Sequence, residues 1–225
     1  MTTPSSNGSS HLVRQNAWFV RTVQIGKLEE HNFEGKPWTT AIYKQPTDQP
    51  VQITKEGLLG DENTGAVRDL DRAICCHPLA HYDFWRSYFR RDIPIGFFGE
   101  NLTIEGILEE TACVGDIIRC GTAILQITQP RTPCFKQARK MNEPKFVKLI
   151  MQTGKPGFLT RVLEPGVVQV GDAFELLERP HPEATLTFVQ RKRYEPEDKQ
   201  TAFELSQLAP LAHDWKADFK KMAES

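Results

Sequence analysis

The feature that most restricts the fold is the shortness of the apolar runs between residues 18 and 177, where glycine and proline recur throughout. The run at 122–128 is a clear example: Ala123, Leu125 and Ile127 alternate with Gln126 and Thr128, as in a half-buried strand. Comparable runs lie at 17–25, 73–76, 101–104, 116–120, 158–163 and 173–177. Many short strands joined by turn residues predict a mainly β fold, a barrel or a sandwich, rather than a parallel α/β sheet.

Two segments inside this region have a helical pattern instead. Leu79, Tyr82, Trp85 and Phe89 recur at spacings of three and four, which places them on one face of a helix. Residues 135–153 form the second segment, and we expect it to break near Pro144 because a proline inside a helix removes a hydrogen bond and clashes with the preceding turn.

The character of the sequence changes after residue 178. The following segment, RPHPEAT, carries two prolines and is typical of a linker, and Leu211, Trp215, Phe219 and Met222 then recur with a helical period. We therefore predict a disordered N-terminal tail at 1–16, a β domain at 17–178 and a small α-helical C-terminal domain at 184–225. The four apolar side chains should pack on neighbouring helices or on the β domain.

Composition excludes several classes of protein. The 225 residues include 28 Lys and Arg and 29 Asp and Glu, a net charge of −1, which argues against a nucleic-acid binder. No apolar run approaches the roughly 20 residues that span a bilayer, and the N-terminus lacks a secretory signal, so no membrane partner is expected. Five cysteines, two of them adjacent, suggest no disulfide framework and fit a reducing, cytoplasmic setting.

Cys134 is the strongest candidate for a reactive residue. It follows a predicted strand and a loop stiffened by two prolines, at the point where a helix is expected to begin. The partial positive charge of a helix N-terminus, with Arg131 and Lys136 nearby, would favour the thiolate, which is the form that attacks electrophiles or ligates metals. The alternative is that Cys134 is a small buried hydrophobic residue.

Cysteine and histidine also crowd together in the run Cys75-Cys76-His77-Pro78-Leu79-Ala80-His81, which raises the question of a zinc site. Zinc ligands normally come as spaced pairs, and the sequence has no CxxC pair. If residues 75 and 76 lie on a strand, their side chains point to opposite faces. We therefore favour structural roles for His77 and His81.

The order of seven short motifs resembles that of the MOSC domain family, named for the C-terminal domain of molybdenum-cofactor sulfurases, and within it the YiiM-like branch. The motifs are GLLGDE (57–62), DRA (71–73), FGENL (98–102), VGD (114–116), QPRTPC (129–134), TGKPGF (153–158) and LEPG (163–166). The helical tail resembles the three-helix appendage of that branch. The resemblance implies a MOSC-type β-barrel domain that binds the molybdenum cofactor, a molybdopterin; pyridoxal phosphate is not expected.

The same resemblance implies a function. The family's cysteine, proposed to ligate the metal or to carry sulfur, corresponds to Cys134, and related proteins reduce N-hydroxylated bases and similar small molecules. Because no flavin or iron–sulfur motif is visible, electrons would come from a separate electron-donor protein. Two alternatives stay open: a sulfur carrier that uses a Cys134 persulfide, and a protein that binds or delivers the cofactor without catalysis. A homodimer is also left open.

The pterin carries a phosphate, so its site should offer basic side chains and backbone N–H groups. The candidate cofactor-binding residues are Arg131, Lys136, Asn101, Arg72, Arg161 and Asp61. We interpret Glu100 as a turn former. One departure from the branch is the absence of a His-Gly-Gly-Pro run before Asp71; Arg68 or Asp69 could take the place of its histidine.

Overall fold

The computed structural model describes residues 18–62, 69–194 and 198–225, so the predicted tail at 1–16 and Arg68 lie outside the described residues. Within these ranges the chain forms thirteen strands, six α-helices and a 3-10 turn at Leu70–Arg72. The strands are β1 (Phe19–Ile25), β2 (Glu29–Phe33), β3 (Lys36–Thr40), β4 (Gln45–Thr47), β5 (Val51–Thr54), β6 (Gly57–Leu58), β7 (Ile74–Pro78), β8 (Leu102–Glu105), β9 (Ile117–Cys120), β10 (Ala123–Pro130), β11 (Phe158–Glu164), β12 (Gly166–Val168) and β13 (Phe174–Glu178). The helices are α1 (His81–Phe89), α2 (Phe135–Met141), α3 (Phe146–Thr153), α4 (Leu186–Tyr194), α5 (Lys199–Gln207) and α6 (His213–Glu224).

One eight-stranded sheet organises the chain, in the order β13-β9-β10-β11-β7-β8-β1-β4. Its neighbouring strands are antiparallel except for β7 and β8, which run parallel. The predicted mainly β class is confirmed. Ala123, Leu125 and Ile127 of β10 are buried in the core, as their alternation predicted.

The resemblance implied a barrel-like domain, and the eight-stranded sheet of the described residues approaches a barrel without closing. The first half of β1 approaches the segment before β13, where Val20 N–H donates to Asp172 O at 2.9 Å and a single bridge pairs Phe19 with Ala173. The second half of β1 pairs with β4 instead, from Val23 to Ile25. Since β4 takes that half of the strand, a continuous ladder from β1 to β13 does not form.

The β2–β3 hairpin was not predicted from the sequence. Its turn residues Glu34 and Gly35 have φ values of 52° and 78°, the left-handed pair that suits a two-residue hairpin turn. Asn32 Oδ1 accepts a hydrogen bond from Gly35 N–H at 2.9 Å and fixes the turn. β3 leads directly into residues 41–44, which form one wall of the site described below.

Both predicted internal helices are present. The second is split as expected, and α2 ends at Asn142, whose φ of 52° is left-handed and whose N–H donates to carbonyls of the last turn. Pro144 follows before α3 begins. α1, α2 and α3 enclose a small aromatic core of their own, built on Tyr82, Trp85, Phe98 and Phe146.

The larger core lies inside the sheet and extends into the C-terminal helices. Leu186, Val189, Leu211, Trp215 and Phe219 belong to the same buried cluster as the strand residues. The predicted packing of the helical tail is therefore confirmed for Leu211, Trp215 and Phe219. None of the helices in the described ranges has the length and apolarity needed to cross a membrane.

This shared core predicts that the sheet and the C-terminal helices unfold together. Trp215→Ala should lower the free energy of unfolding by roughly 3–5 kcal/mol, because it removes a fully buried indole and leaves a cavity. Urea denaturation followed by circular dichroism would measure the loss. Phe203→Ala on α5 is the control, since that ring is 54% exposed. Two separate unfolding transitions in the wild-type protein would contradict the shared core.

Candidate functional site

A cleft of about 400 Å³ opens between the end of β10 and the loops that surround it. Its walls come from residues 40–44, 56–62, 69–75, 99–101 and 131–136, with Leu159 on β11. The sequence-predicted residues that line it are Cys134, Arg131, Lys136, Asn101, Arg72 and Asp61. The cleft is therefore the place where segments far apart in sequence bring these side chains together.

Arg161 is not among the lining residues. Its guanidinium contacts Asp71 Oδ1 at 2.7 Å, Gln126 Oε1 at 3.1 Å and the Pro210 carbonyl at 3.0 Å. These contacts connect β10 and β11 to the segment before α6. The structure thus places Arg161 at the joint between the sheet and the C-terminal helices.

Cys134 immediately precedes α2, as the sequence predicted. Its N–H donates to Gln137 Oε1 at 3.2 Å, and its carbonyl accepts from Gln137 N–H at 3.1 Å. Gln137 is buried and donates in turn to the Phe98 carbonyl at 3.4 Å. Cys134 is the one cysteine of the five that is not buried, so its thiol is the most accessible.

A second cysteine that sequence reasoning set aside also lines the cleft. Cys75 faces it, while Cys76 belongs to the main core, so the two adjacent side chains do point to opposite faces. Burial raises the pKa of the Cys75 thiol, against the opposing effect of nearby Arg131, and burial raises the pKa of Cys76 well above its ordinary value. Both therefore stay neutral near pH 7.

Asp61 and Asn101 build one wall of the cleft. Asp61 Oδ1 accepts from Gly26 N–H at 2.6 Å and from the Lys44 ammonium, whose side chain is 8% exposed. Asp61 Oδ2 accepts from Asn101 Nδ2 at 3.0 Å, and Asn101 Oδ1 accepts from Cys75 N–H at 3.1 Å. The sequence did not predict a role for Lys44, because it is a single lysine that belongs to no recognisable motif.

The basic side chains of the cleft differ in whether carboxylates of the protein already form ion pairs with them. Arg72 forms ion pairs with Asp69, at 3.1 Å, and with Asp214 of α6. Arg131 is different: its backbone N–H donates to Gly157 O at 2.9 Å, but its Nη1 atom is buried without a hydrogen-bond partner among the described residues. A buried guanidinium nitrogen left in this way is costly unless a ligand accepts its hydrogen bond.

The loop that carries Cys134 is braced from the C-terminal helices. Arg193 at the end of α4 donates to Thr132 Oγ1 at 3.3 Å. The same guanidinium pairs with Asp218 and lies 4.2 Å from the ring centroid of Trp215. Since Thr132 lines the cleft, the helical segment helps to set the position of the cleft wall.

Lys140, one turn beyond Lys136 on α2, supports the side of the cleft that Ile42 lines. It donates to the carbonyls of Ile42 at 3.0 Å and Gly96 at 3.4 Å. Burial lowers its pKa to about 8, partly offset by Glu100. Because Ile42 lines the cleft, the contact fixes that side of it.

Glu100, interpreted above as a plain turn former, is completely buried. Its Oε1 atom accepts from Tyr82 Oη and, at 2.9 Å, from Thr103 Oγ1. The carboxylate thus joins the aromatic core under α1 to strand β8. Its role is tertiary, which a local turn pattern could not reveal.

Within the described part of the chain, the cysteine–histidine run does not bring three ligand atoms close enough together to hold a metal. His81 Nε2 instead contacts Glu109 Oε2 at 2.6 Å in a fully buried pair, and Glu109 Oε1 accepts from Gly157 N–H at 2.8 Å. Among the described residues, side chains close enough together to hold a metal are Asp69, Asp71 and His213. Asp69 and Asp71 are already paired with Arg72 and Arg161.

Comparisons with known proteins agree with the architecture. A family model described as the MOSC domain matches residues 48–175. The chain is 37% identical over 213 residues to the uncharacterized protein YflK of Bacillus subtilis (strain 168), covering 93% of this chain and 96% of that protein. It is 32% identical over 206 residues to protein YiiM of Escherichia coli (strain K12), covering 88% and 90%.

Two further matches are a longer fungal protein and a bacterial crystal structure. A protein of Gibberella moniliformis named as a reductase is 35% identical over 174 residues, which cover 75% of this chain but 31% of that longer protein. The crystal structure of YiiM from Geobacillus stearothermophilus superimposes with a TM-score of 0.79 at 32% identity, covering 92% of this chain and 99% of that one.

The burial pattern of the thiols predicts which cysteine reacts first. Limiting iodoacetamide near neutral pH should label Cys134 well before the other four, because they are buried and the pKa of each is raised, to about 11 for Cys113. Peptide mass spectrometry over time would give the labelling order. In Cys134→Ser the fast phase should disappear, and a fast phase that persists on the Cys75 peptide would refute the prediction.

Proposed function

The chain belongs to the MOSC domain family, in the branch that includes YiiM, and on that basis we propose that it is an oxidoreductase whose cleft holds a molybdenum cofactor. Its substrates would be small N-hydroxylated compounds, such as N-hydroxylated bases. Each turnover takes up two electrons and two protons, breaks the N–O bond and releases the oxygen as water. A separate electron-donor protein would supply the electrons.

The observation that carries this proposal concerns Arg131, which lines the cleft and whose buried Nη1 atom has no hydrogen-bond partner among the described residues. Arg72, the second arginine that lines the cleft in the described ranges, already has two carboxylate partners. Arg131 therefore suits the phosphate of a molybdopterin, since a guanidinium binds phosphate through charge-assisted and often bidentate hydrogen bonds. Lys136 lines the same cleft and adds positive charge.

Cys134 is the residue proposed to ligate the metal. Molybdenum favours sulfur ligands, and the Cys134 thiol combines partial exposure with a place on the cleft wall. Gln137 and the Arg193–Thr132 contact hold the backbone around it. When bound, the cofactor supplies the two-electron chemistry, while the protein contributes binding, orientation and electrostatics.

The remaining polar residues of the cleft are proposed to act as supports. Asp61 is committed to Lys44 and Asn101, so its charge is balanced within the wall. Asn101 also anchors Cys75 through both backbone and side chain. We propose that these residues keep the rim rigid around the cofactor. The reductase name of the Gibberella relative is consistent with the reaction class proposed here.

Replacing the proposed ligand tests the function directly. Cys134→Ser, produced in a host that makes the molybdenum cofactor, should lose reduction of an N-hydroxylated adenine base with a reduced dye as electron donor, because a hydroxyl is a poor ligand for a sulfur-preferring metal. Metal and pterin analysis should accompany the assay, and Cys113→Ser, at a buried position away from the cleft, is the control.

Three outcomes of this experiment are informative. Full molybdenum-dependent activity in Cys134→Ser would overturn the assignment of the ligand. Wild-type protein that retains the pterin without reductase turnover would favour a cofactor-delivery role. A mass increase of one sulfur atom on Cys134, without cofactor, would favour a sulfur carrier.

Arg131→Ala should weaken retention of the cofactor by about ten- to a hundredfold, because one charge-assisted hydrogen bond in a buried site is lost. Arg131→Lys should recover part of the loss, since the charge returns without the bidentate fork. The molybdenum-to-protein ratio after dialysis would measure this. Arg119→Ala, at an exposed surface ion pair with Glu175, is the matched control. Equal retention in wild type and Arg131→Ala would place the phosphate elsewhere.

A further inference from the structure

A second feature of the surface beside the cleft is not used by the proposed chemistry. Three aromatic rings surround the guanidinium of Arg139 on α2, with its Cζ atom 4.8 Å from the ring centroid of Phe33, 5.1 Å from Trp38 and 4.8 Å from Phe135. Phe33 and Trp38 come from the β2–β3 hairpin and Phe135 from the first turn of α2. We call these four residues the aromatic platform.

Within the described ranges, the contacts of the Arg139 guanidinium are with these three rings. The Arg139 carbonyl accepts from Asn142 N–H at 3.0 Å, but the guanidinium makes no hydrogen bond or ion pair with any residue in 18–62, 69–194 or 198–225. Several other arginines are paired with carboxylates, as Arg161 is with Asp71 and Arg193 with Asp218. The rings restrict the Arg139 side chain while its N–H groups stay available, which is a pre-organised arrangement for an anion.

The platform adjoins the cleft on the side of Cys134. Cys134 and Lys136, which flank Phe135 in the sequence, both line the cleft. On β3, Trp38 and Thr40 share one face because side chains alternate along a strand, and Thr40 lines the cleft as well. Phe135 and Arg139 do not line the cleft themselves, so the platform lies beside it, next to Cys134 in the chain.

Phe135 is 57% exposed although Arg139 lies against it. An aromatic ring backed by a cation and open to solvent is suited to stack on a second planar ring. The available N–H groups of Arg139 suit a carboxylate or phosphate attached to that ring. A ring and an anion side by side match an aromatic compound with an acidic substituent, such as a nucleotide.

We propose that the aromatic platform binds the planar, anionic part of the substrate, with Phe135 stacking on its ring and Arg139 binding its phosphate or carboxylate. This inference rests on the proposed function and narrows it, from N-hydroxylated bases in general to those that carry an anionic group. Phe135 and Arg139 would be specificity-determining residues, separate from the Cys134 and Arg131 that hold the cofactor.

Binding can be tested without turnover, using the full chain and isothermal titration calorimetry. Adenosine monophosphate should bind more tightly than adenosine or ribose 5-phosphate. Phe135→Leu should weaken adenosine and adenosine monophosphate by about five- to a hundredfold, the usual effect of losing one base stack. Arg139→Gln should weaken adenosine monophosphate and ribose 5-phosphate by about ten- to a hundredfold and leave adenosine unchanged.

The controls separate the platform from the cleft and from general surface effects. Phe203→Leu and Arg119→Gln remove an exposed ring and an exposed cation elsewhere, and neither should change any of the three affinities. Phe135→Tyr keeps a ring and should bind as the wild type does. If adenosine monophosphate loses affinity in Arg131→Ala but not in Arg139→Gln, it occupies the cleft and the proposal is wrong. Unchanged affinity in both Phe135→Leu and Arg139→Gln would also overturn it.

The same variants distinguish this proposal from the proposed function. In cofactor-loaded protein, Arg139→Gln should raise KM for an N-hydroxylated nucleotide by the same factor as the loss of affinity and leave kcat, and the KM for the free base, unchanged. If the protein binds adenosine monophosphate specifically but shows no molybdenum-dependent reduction, the proposed binding role of the platform stands and the proposed reductase function is wrong. If the protein reduces its substrates with a KM that changes neither with the phosphate group nor in Arg139→Gln, the reductase function stands and the proposed role of the platform is wrong.

Discussion

The antiparallel pairing of β10 with β11 is the interaction on which the rest of the structure depends. It runs from Ile124 opposite Glu164 to Pro130 opposite Phe158, in the middle of the main sheet. Where the pairing ends, Arg131 N–H still donates to Gly157 O, which continues the register by one residue. The loop to Cys134 therefore leaves the sheet from a fixed point. The hydrogen-bonded strands thus hold this wall of the cleft in place.

Local patterns predicted the parts of the fold that local physics determines. The alternation at 123–128 gave β10, the spacing of Tyr82 and Trp85 gave α1, and Pro144 marked the break between α2 and α3. The placement of Cys134 before a helix was predicted for the same reason. In contrast, β2 and β3 are short and mostly exposed, so their composition carries little apolar periodicity.

What sequence reasoning missed depends on contacts between distant segments. Glu100 looks like a turn residue until Tyr82 and Thr103 are seen to donate to it. Lys44 and Cys75 line the cleft because β7 and the chain after β3 meet there. The residues next to them in the sequence give no sign of this long-range contact. The basic residues show the same limit: the sequence cannot reveal that carboxylates pair Arg72 and Arg161, whereas the Nη1 atom of Arg131 has no hydrogen-bond partner among the described residues.

The contact between Arg193 and Thr132 has a consequence for the order of events during synthesis. The ribosome delivers residues 131–136 long before it delivers Arg193, Asp214 and Asp218, which brace the cleft from the C-terminal side. A nascent chain emerges N-terminal end first, so the strands can assemble while one wall of the cleft still lacks its support. The braced cleft is complete only when α6 has left the ribosome. A prosthetic group that needs this wall must therefore enter after α6 has folded against it.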